Sequence, residues 1–158
     1  MLRYAEDANY WDTAVSPSIS QGEIADLLEK FEADGIQTIQ GSAGGRYAWM
    51  IRFQWEGRVY RFTFAPLTCR FPDKTFTRSG VERSNQDQAR FQMGRIALNF
   101  VKAILIAAEA TPAALFGFLE LPGIHPGQAP MTAAELDVAG LTGMLPEVQG
   151  VPLLERAK

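Results

Sequence analysis

Cysteine and histidine are almost missing from this sequence. Its 158 residues include one cysteine, Cys69, and one histidine, His125. An internal disulfide, a cysteine-rich zinc site and a multi-histidine metal site each need more of these residues, so all three are excluded and we expect no cofactor. A Cys–His nucleophilic pair would have to use these two residues. Cys69 fits a small, partly buried hydrophobe and His125 lies in a Gly/Pro-rich turn, so we expect no such pair.

Long apolar runs are missing as well. The sequence has no run of 18 consecutive apolar residues, about the length that a membrane-spanning helix needs. The first residues include Glu6 and Asp7 and no apolar stretch, which is unlike a secretory signal. Internal repeats, low-complexity tracts and a Walker phosphate loop are absent too. We therefore expect a cytoplasmic protein that does not contact a membrane.

Basic residues are scarce outside the middle of the chain. Residues 46–102 hold eleven basic and four acidic residues, a balance of +7. Residues 1–45 and 103–158 have balances of −6 and −4, and the formal net charge of −3 hides this separation. A concentrated basic segment is typical of a surface that binds an anionic partner.

Apolar and polar residues alternate through the middle segment on both sides of Glu56-Gly57. This pattern predicts two strands joined by a tight turn. A two-residue loop, or a four-residue loop in the same register, pairs Phe53 with Tyr60 and Ile51 with Phe62. A three-residue loop would split this apolar face between the two sides of the sheet. We therefore predict the register that keeps the aromatic side chains together.

The same register sets two arginines directly opposite each other on the other face of the hairpin. These are Arg52 and Arg61, with Arg46 further along the row. Like charges opposed in this way destabilise a strand pair by roughly 0.2–1 kcal/mol, so an anionic group should lie over them. A carboxylate of the protein, from the acidic first helix or from elsewhere, would serve, and so would a phosphate backbone.

Capping signals predict two main helices. Ser20 and Glu23 form a capping box, so the first helix should begin there and run to about Asp34. Ser84 precedes the longest helical pattern, from about Asn85 to Ala110. A polar stripe at 3–4 spacing on this second helix predicts a solvated face and consists of Gln88, Gln92, Arg95, Asn99 and Lys102.

A strand from Ile36 to Gln40 completes the predicted sheet. The predicted fold is α+β, a three-stranded antiparallel sheet packed in two layers on two main helices in the order α-β-β-β-α, plus short C-terminal helices. A capping box at Thr132 and Glu135 predicts one of these short helices. The predicted domain organisation is an N-terminal arm at 1–18, an α+β core domain at 19–123 and a Pro/Gly-rich C-terminal extension at 124–158.

Cationic and aromatic residues alternate in the long segment 66–85, which shows little periodicity. Such a loop is typical of a surface for single-stranded nucleic acid, on which cations meet phosphates and rings stack on bases. The rings would equally serve to hold a loop on the core. The predicted nucleic-acid site combines cations of the sheet, the loop and the second helix: Arg46, Arg52, Arg61, Arg70, Lys74, Arg78, Arg83, Arg90 and Arg95.

Acidic residues are too scattered within the basic segment to suggest an active site. A metal-dependent nuclease needs at least two carboxylates brought together near a lysine. Asp73, Lys74 and Glu82 are the best set that the sequence offers. We expect a protein that is not an enzyme.

The element order is similar to that of double-stranded RNA-binding domains, but the lysine-rich start of their second helix is replaced here by residues 86–90. A closer resemblance is to small uncharacterised proteins encoded by phages and prophages. It covers about residues 20–123 and implies a shared core without catalytic residues. The stretches that carry it are Ser20–Ile24 with Leu27-Leu28 and Gly35, Phe53–Phe62, and Arg95 through Lys102–Leu105 to Glu109 with Phe118-Leu119 and Leu121–Gly123.

Two functions are compatible with these patterns. The first is a non-catalytic, nucleic-acid-binding accessory protein that uses a basic sheet face and basic loop on the phosphates of DNA or RNA. The alternative is a protein-interaction module that binds or inhibits a phage or host complex. In that case the basic face would meet an acidic protein surface, or the arm or the C-terminal tail would dock on the complex.

Overall fold

Two helices cover one face of a three-stranded antiparallel sheet. The computed structural model describes residues 2–43, 45–121, 127 and 129–135. The sheet has the strand order β1-β2-β3, and the predicted α+β fold with its α-β-β-β-α order is confirmed. The main elements are α1 (Pro17–Lys30), β1 (Asp34–Ala43), β2 (Arg46–Trp55), β3 (Arg58–Phe64) and α2 (Asn85–Ala110).

The hairpin of β2 and β3 has the predicted register. Phe53 pairs with Tyr60, Ile51 with Phe62 and Trp49 with Phe64. Its two-residue turn has positive φ angles of 46° at Glu56 and 73° at Gly57. These angles fit a type I′ turn, whose twist matches that of the two strands.

The aromatic face of this hairpin forms the core against the helices. Trp49, Ile51 and Phe53 have no exposed surface and Phe62 has 1%. Each such side chain contributes roughly 1.5–3 kcal/mol by leaving water. Helix α1 supplies Ile24 and Leu28 to this core, and α2 supplies Met93, Ala97, Val101, Leu105 and Ala108.

Helix α1 begins four residues earlier than its capping box predicts. Ser16 is the N-cap, with its side chain accepting from the Ile19 N–H, and Pro17 occupies the first turn. Proline is tolerated there because its missing N–H would have no partner in the helix. The predicted cap, Ser20, is fully buried inside the helix. The helix also ends at Lys30 rather than Asp34, where β1 starts.

Helix α2 has the predicted bounds, with the Ser84 side chain accepting from the Asp87 N–H. Its length and composition alone would allow it to cross a membrane, and 39% of its most apolar window is buried. Core helices share these properties, and α2 supplies one side of the core.

The prediction that the polar stripe of α2 faces solvent is wrong at the N-terminal end of the helix. Gln88 and Gln92 are fully buried beneath the arm, residues 2–16, which lies across the helix. Gln88 donates to the carbonyl groups of Trp11 and Thr13, the latter at 3.0 Å. Gln92 donates to Ala5 O at 2.8 Å and Asn9 O at 2.9 Å. The stripe therefore binds backbone instead of water.

The segment predicted to be a loop contains a second hairpin. Strands β4 (Thr75–Arg78) and β5 (Val81–Ser84) pair as a separate two-stranded sheet. Ser79 and Gly80 join them with φ angles of 50° and 79°. Phe76 packs edge-on against Trp11 of the arm, with ring centroids 5.7 Å apart. The hairpin and the arm thus lie side by side.

Short elements follow α2. A 3-10 helix spans Pro112–Phe118, and β6 (Glu120–Leu121) pairs with β7 (Met131–Thr132). Another 3-10 helix covers Ala133–Glu135, where the Glu135 side chain accepts from the Thr132 N–H at 2.9 Å, as the predicted capping box requires. His125 and residues 136–158 of the predicted extension lie outside the described residues.

Candidate nucleic-acid interface

The opposed arginines of the sheet face carboxylates of the protein itself. Arg52 binds Glu120 through two parallel hydrogen bonds, Nε to Oε1 and Nη2 to Oε2, each 2.9 Å long. Arg61 donates to Glu135 Oε2 at 2.6 Å and lies 3.7 Å from Glu120 Oε1. Two carboxylates therefore neutralise the two arginines that the hairpin register brings together.

These ion pairs are partly shielded from water. The Glu120 side chain is 8% exposed and that of Arg61 is 13% exposed. The Glu120 hydrogen bond and its negative charge raise the pKa of Arg52. Both carboxylates come from the segment after α2, and neither comes from the acidic first helix.

Two cations of the basic segment bind the arm. Arg70 pairs with Asp7 and Arg78 with Asp12. Next to them, Glu6 accepts from the backbone N–H groups of Arg70 at 2.8 Å and Phe71 at 3.0 Å. Burial acts to raise the pKa of Glu6, but these hydrogen bonds and the Arg70 charge outweigh it and hold the pKa below its usual value. The acidic N-terminal segment thus packs on the basic middle segment.

A further predicted cation joins the two helices. Arg95 of α2 pairs with Glu23 of α1 and lies 3.4 Å from the Ser20 hydroxyl. Glu23, predicted to close a capping box, instead forms this link between helices. Arg95 is therefore engaged within the fold.

The other predicted cations form no ion pair with a carboxylate in the described part of the chain, except Arg90. Arg90 lies 3.3 Å from Asp87, one turn earlier on α2, and both side chains are about half exposed. Lys74 lies over the Phe71 ring at 4.2 Å from its centroid. Arg46 and Arg83 complete this group, and Arg46 is exposed at the start of β2.

Two of these arginines stack on aromatic rings, and Arg46 lines a cleft together with Tyr47 and Arg90. The Arg90 guanidinium lies 4.5 Å from the centroid of the Tyr47 ring, and that of Arg83 lies 3.8 Å from the centroid of Phe91. Stacking on a ring orients a guanidinium and adds a favourable cation–π interaction. We call these residues the Tyr47 cluster, which consists of Arg46, Tyr47, Arg83, Arg90 and Phe91.

Two adjacent clefts open at the Tyr47 cluster. One, of about 450 Å³, is lined by Tyr47, Arg83, Arg90 and Phe91 together with residues at the start of α1. The other, of about 370 Å³, is lined by Arg46, Tyr47 and Arg90 and by residues after β3. Tyr47 and Arg90 belong to both clefts and separate them. Asp87 is the one acidic residue that lines either cleft among the residues described.

The donors of the cluster are only partly used. Arg83 donates from Nη1 to Gln88 Oε1 at 3.0 Å, and Arg90 donates from Nη1 to Asp87. A guanidinium has five N–H donors, so each retains donors for an anion. The arrangement can therefore hold phosphate or carboxylate oxygens in either cleft.

Cys69 also lines the second cleft. Its thiol donates to Asn85 O at 3.4 Å, and burial, with a smaller effect of the Glu6 charge, raises its pKa. A raised pKa keeps the thiol protonated and weakly nucleophilic at neutral pH. Asp73 and Glu82, the best carboxylate pair that the sequence offers for a metal site, are both exposed. No group of three potential metal ligands converges within residues 2–43, 45–121 and 129–135.

Comparison with known proteins gives no relative: no family model, curated protein or solved structure matches the chain. The resemblance to phage-encoded proteins stays a prediction.

Glu120 and Glu135, which pair with two arginines of the predicted site, were not identified from the sequence. Glu120 lies between Leu119 and Leu121, and this short alternation is a signal for a strand that would bring a carboxylate beside β3. Ser79-Gly80 between two short alternating stretches is a signal for the β4–β5 hairpin. No signal in the sequence indicates that Gln88 and Gln92 bind the arm.

Proposed function

We propose that this protein is a non-catalytic, nucleic-acid-binding accessory protein that contacts phosphates through the Tyr47 cluster. The observation that supports this is that Arg46, Arg83 and Arg90 line two adjacent clefts, with Arg90 in both. Among the described residues, Asp87 is the one carboxylate that lines either cleft. Arginine is over-represented where proteins bind phosphates through paired hydrogen bonds. Arg52 and Arg61 of the sheet would then stabilise the fold, and the Tyr47 cluster would bind the nucleic acid.

With three arginines, the Tyr47 cluster should make only a modest electrostatic contribution to the free energy of binding. Each neutralised phosphate lowers the slope of log K against log salt by about 0.9 on duplex DNA and about 0.7 on a single strand. Three contacts give a slope of about −2 to −3. Weak, salt-sensitive binding is the expected behaviour of the purified protein.

The test is binding to labelled single- and double-stranded DNA and RNA at several salt concentrations. An Arg46→Gln/Arg90→Gln variant should reduce the steepness of the salt dependence by about 2, because two phosphate contacts are removed. The matched control is Arg58→Gln/Lys102→Gln, which changes the net charge equally at two exposed positions away from the cluster. This control should bind like the wild type.

Two results would reject the proposal. Absence of binding to all four nucleic acids at low salt would exclude a nucleic-acid function under these conditions. Equal weakening in the two variants would show that overall charge, and not the Tyr47 cluster, controls binding. Arg52 and Arg61 are unsuitable for this test because their replacement would also break the ion pairs with Glu120 and Glu135.

The second candidate is a protein-interaction module. It is favoured by large apolar side chains at the surface, among them Phe116 at 60% and Ile106 at 56% exposure. An acidic protein surface would also complement the Tyr47 cluster. Poly-glutamate is the simplest probe of this: binding to it that is lost in Arg46→Gln/Arg90→Gln, without binding to nucleic acid, would favour the protein partner.

A further inference from the structure

The two edges of the main sheet differ in how they are protected. At one edge, β3 forms a bridge between Tyr60 and Leu119 just before β6. At the other edge, β1 pairs with β2 alone among the described strands. Every β1 residue from Asp34 to Ser42 is exposed except Ile36, which is half-buried. No other described strand pairs with the outer edge of β1.

From Gln37 to Ala43, strand β1 also lacks the features that usually block an open edge. Edge strands commonly carry charged residues, a proline or a bulge, because their free N–H and C=O groups can pair with another chain. From Gly35 to Ala43 the strand has no charge and no proline. Its irregularity lies between Asp34 and Gln37, which leaves Gln37–Ala43 in regular pairing.

We propose that β1 pairs with β1 of a second copy of this chain, forming a dimer with a continuous six-stranded sheet. A strand that pairs antiparallel with itself opposes its own sequence, so charges near the two-fold axis would face like charges. A charge-free strand meets this requirement without a compensating partner. The dimer does not depend on the proposed nucleic-acid function.

Side chains favour one register for this pairing. Ile39 is 53% exposed and pairs with Met50 on the sheet face opposite the helices. A two-fold axis at Ile39 sets the two isoleucines opposite each other and pairs Thr38 with Gln40 and Gln37 with Gly41. This register covers apolar surface on both copies and opposes no charged groups.

The oligomeric state of the full chain tests the proposal. Sedimentation velocity at high micromolar concentration should give twice the mass of one chain for the wild type. Ile39→Lys should give a monomer with an unchanged circular dichroism spectrum, because a lysine on an edge opposes pairing. The control is Ile106→Lys on α2, whose isoleucine is 56% exposed, and it should remain a dimer. A monomeric wild type, a dimeric Ile39→Lys or a monomeric control would overturn the proposal.

Disulfide formation tests the register. Directly opposed residues in an antiparallel pair have Cα atoms about 4.5–5.5 Å apart, within the range of a disulfide. With Cys69→Ala removing the native thiol, Ile39→Cys should form a disulfide-linked dimer under mild oxidation. Gln37→Cys in the same background should not, because Gln37 opposes Gly41. Preferential cross-linking at position 37 would overturn this register.

Discussion

The amide groups of Gln88 and Gln92 are an unusual choice for buried positions of a helix. A buried amide costs free energy for each hydrogen bond that it does not make, and Gln92 Oε1 has no partner among the described residues. Both side chains donate to carbonyl groups of the arm, a segment that has no sheet partner for its own backbone. The two glutamines therefore provide the hydrogen bonds that a strand or helix would otherwise supply.

We expect Gln92→Leu to release the arm without unfolding the core. The change removes the Gln92 donor from the carbonyl groups of Ala5 and Asn9, of which Ala5 O still accepts from the Ala8 N–H. An unsatisfied buried polar group such as the Asn9 carbonyl costs about 1–3 kcal/mol. A loss of about 2 kcal/mol would speed hydrogen exchange of the Ala5 amide, which donates to Thr68 O, roughly 30-fold.

Native-state hydrogen exchange measures this effect. Gln86→Leu, at an exposed position in the first turn of the same helix, is the control and should leave exchange of the arm unchanged. Unchanged protection of Ala5 in Gln92→Leu would show that the arm is held by other contacts, such as Glu6.

Local sequence patterns predicted some elements of this fold and failed for others. The β2–β3 hairpin was predictable because its alternation and its Glu56-Gly57 turn lead independently to one register. The start of α1 was not, since Ser16-Pro17 can begin either a turn or a helix. The ion pairs of Glu120 and Glu135 link residues 59 to 74 positions apart, and no local pattern specifies such a contact.

At the level of elements, one glycine sets how closely the helices approach. A Cβ atom at Gly94 would lie 2.9 Å from both Cβ and Oγ of Ser20 and 3.3 Å from Cη2 of Trp49. A distance of 2.9 Å is too short for a contact between a Cβ atom and a non-bonded carbon or oxygen atom. Ser20 and Trp49 are both fully buried. The crossing of α1 over α2 therefore requires glycine at this position.

Gly94→Ala should destabilise the protein by about 1–3 kcal/mol, the usual cost of overpacking a core. The control is Gly22→Ala on α1, where a Cβ meets no atom within 4 Å. That change should stabilise the protein by up to about 1 kcal/mol, because alanine favours a helix. Chemical denaturation of both variants measures the difference. A Gly94→Ala protein as stable as Gly22→Ala would mean that the helices can separate at little cost.

Across the whole molecule, the charge separation of the sequence is used largely within the fold. The acidic N-terminal segment supplies partners to Arg70, Arg78 and Arg95, and the segment after α2 supplies partners to Arg52 and Arg61. The composition of residues 46–102 shows an excess of basic residues but does not show which of them are paired. This is why the predicted site of nine cations reduces to a smaller cluster around Tyr47.

The segment after α2 should therefore contribute to stability through Glu120. Glu120→Gln leaves Arg52 and Arg61 opposed on neighbouring strands with only Glu135 to balance them, so we expect Tm to fall by about 2–4 °C. Asp12→Asn removes an ion pair whose side chains are both more than half exposed, and it should change Tm much less. Thermal unfolding at low and high salt compares the two.

A second substitution, Arg52→Gln, distinguishes two causes of the fall in Tm. One is the loss of the Glu120 carboxylate, and the other is the repulsion between Arg52 and Arg61. If repulsion between the two arginines causes the fall in Tm, Arg52→Gln/Glu120→Gln should recover part of that fall, because Arg61 then faces no opposed cation. If Arg52→Gln gives no recovery in the Glu120→Gln background, Glu120 acts mainly by joining β6 to the sheet. The double-mutant cycle thus determines whether the C-terminal segment neutralises the arginine pair or is only attached by it.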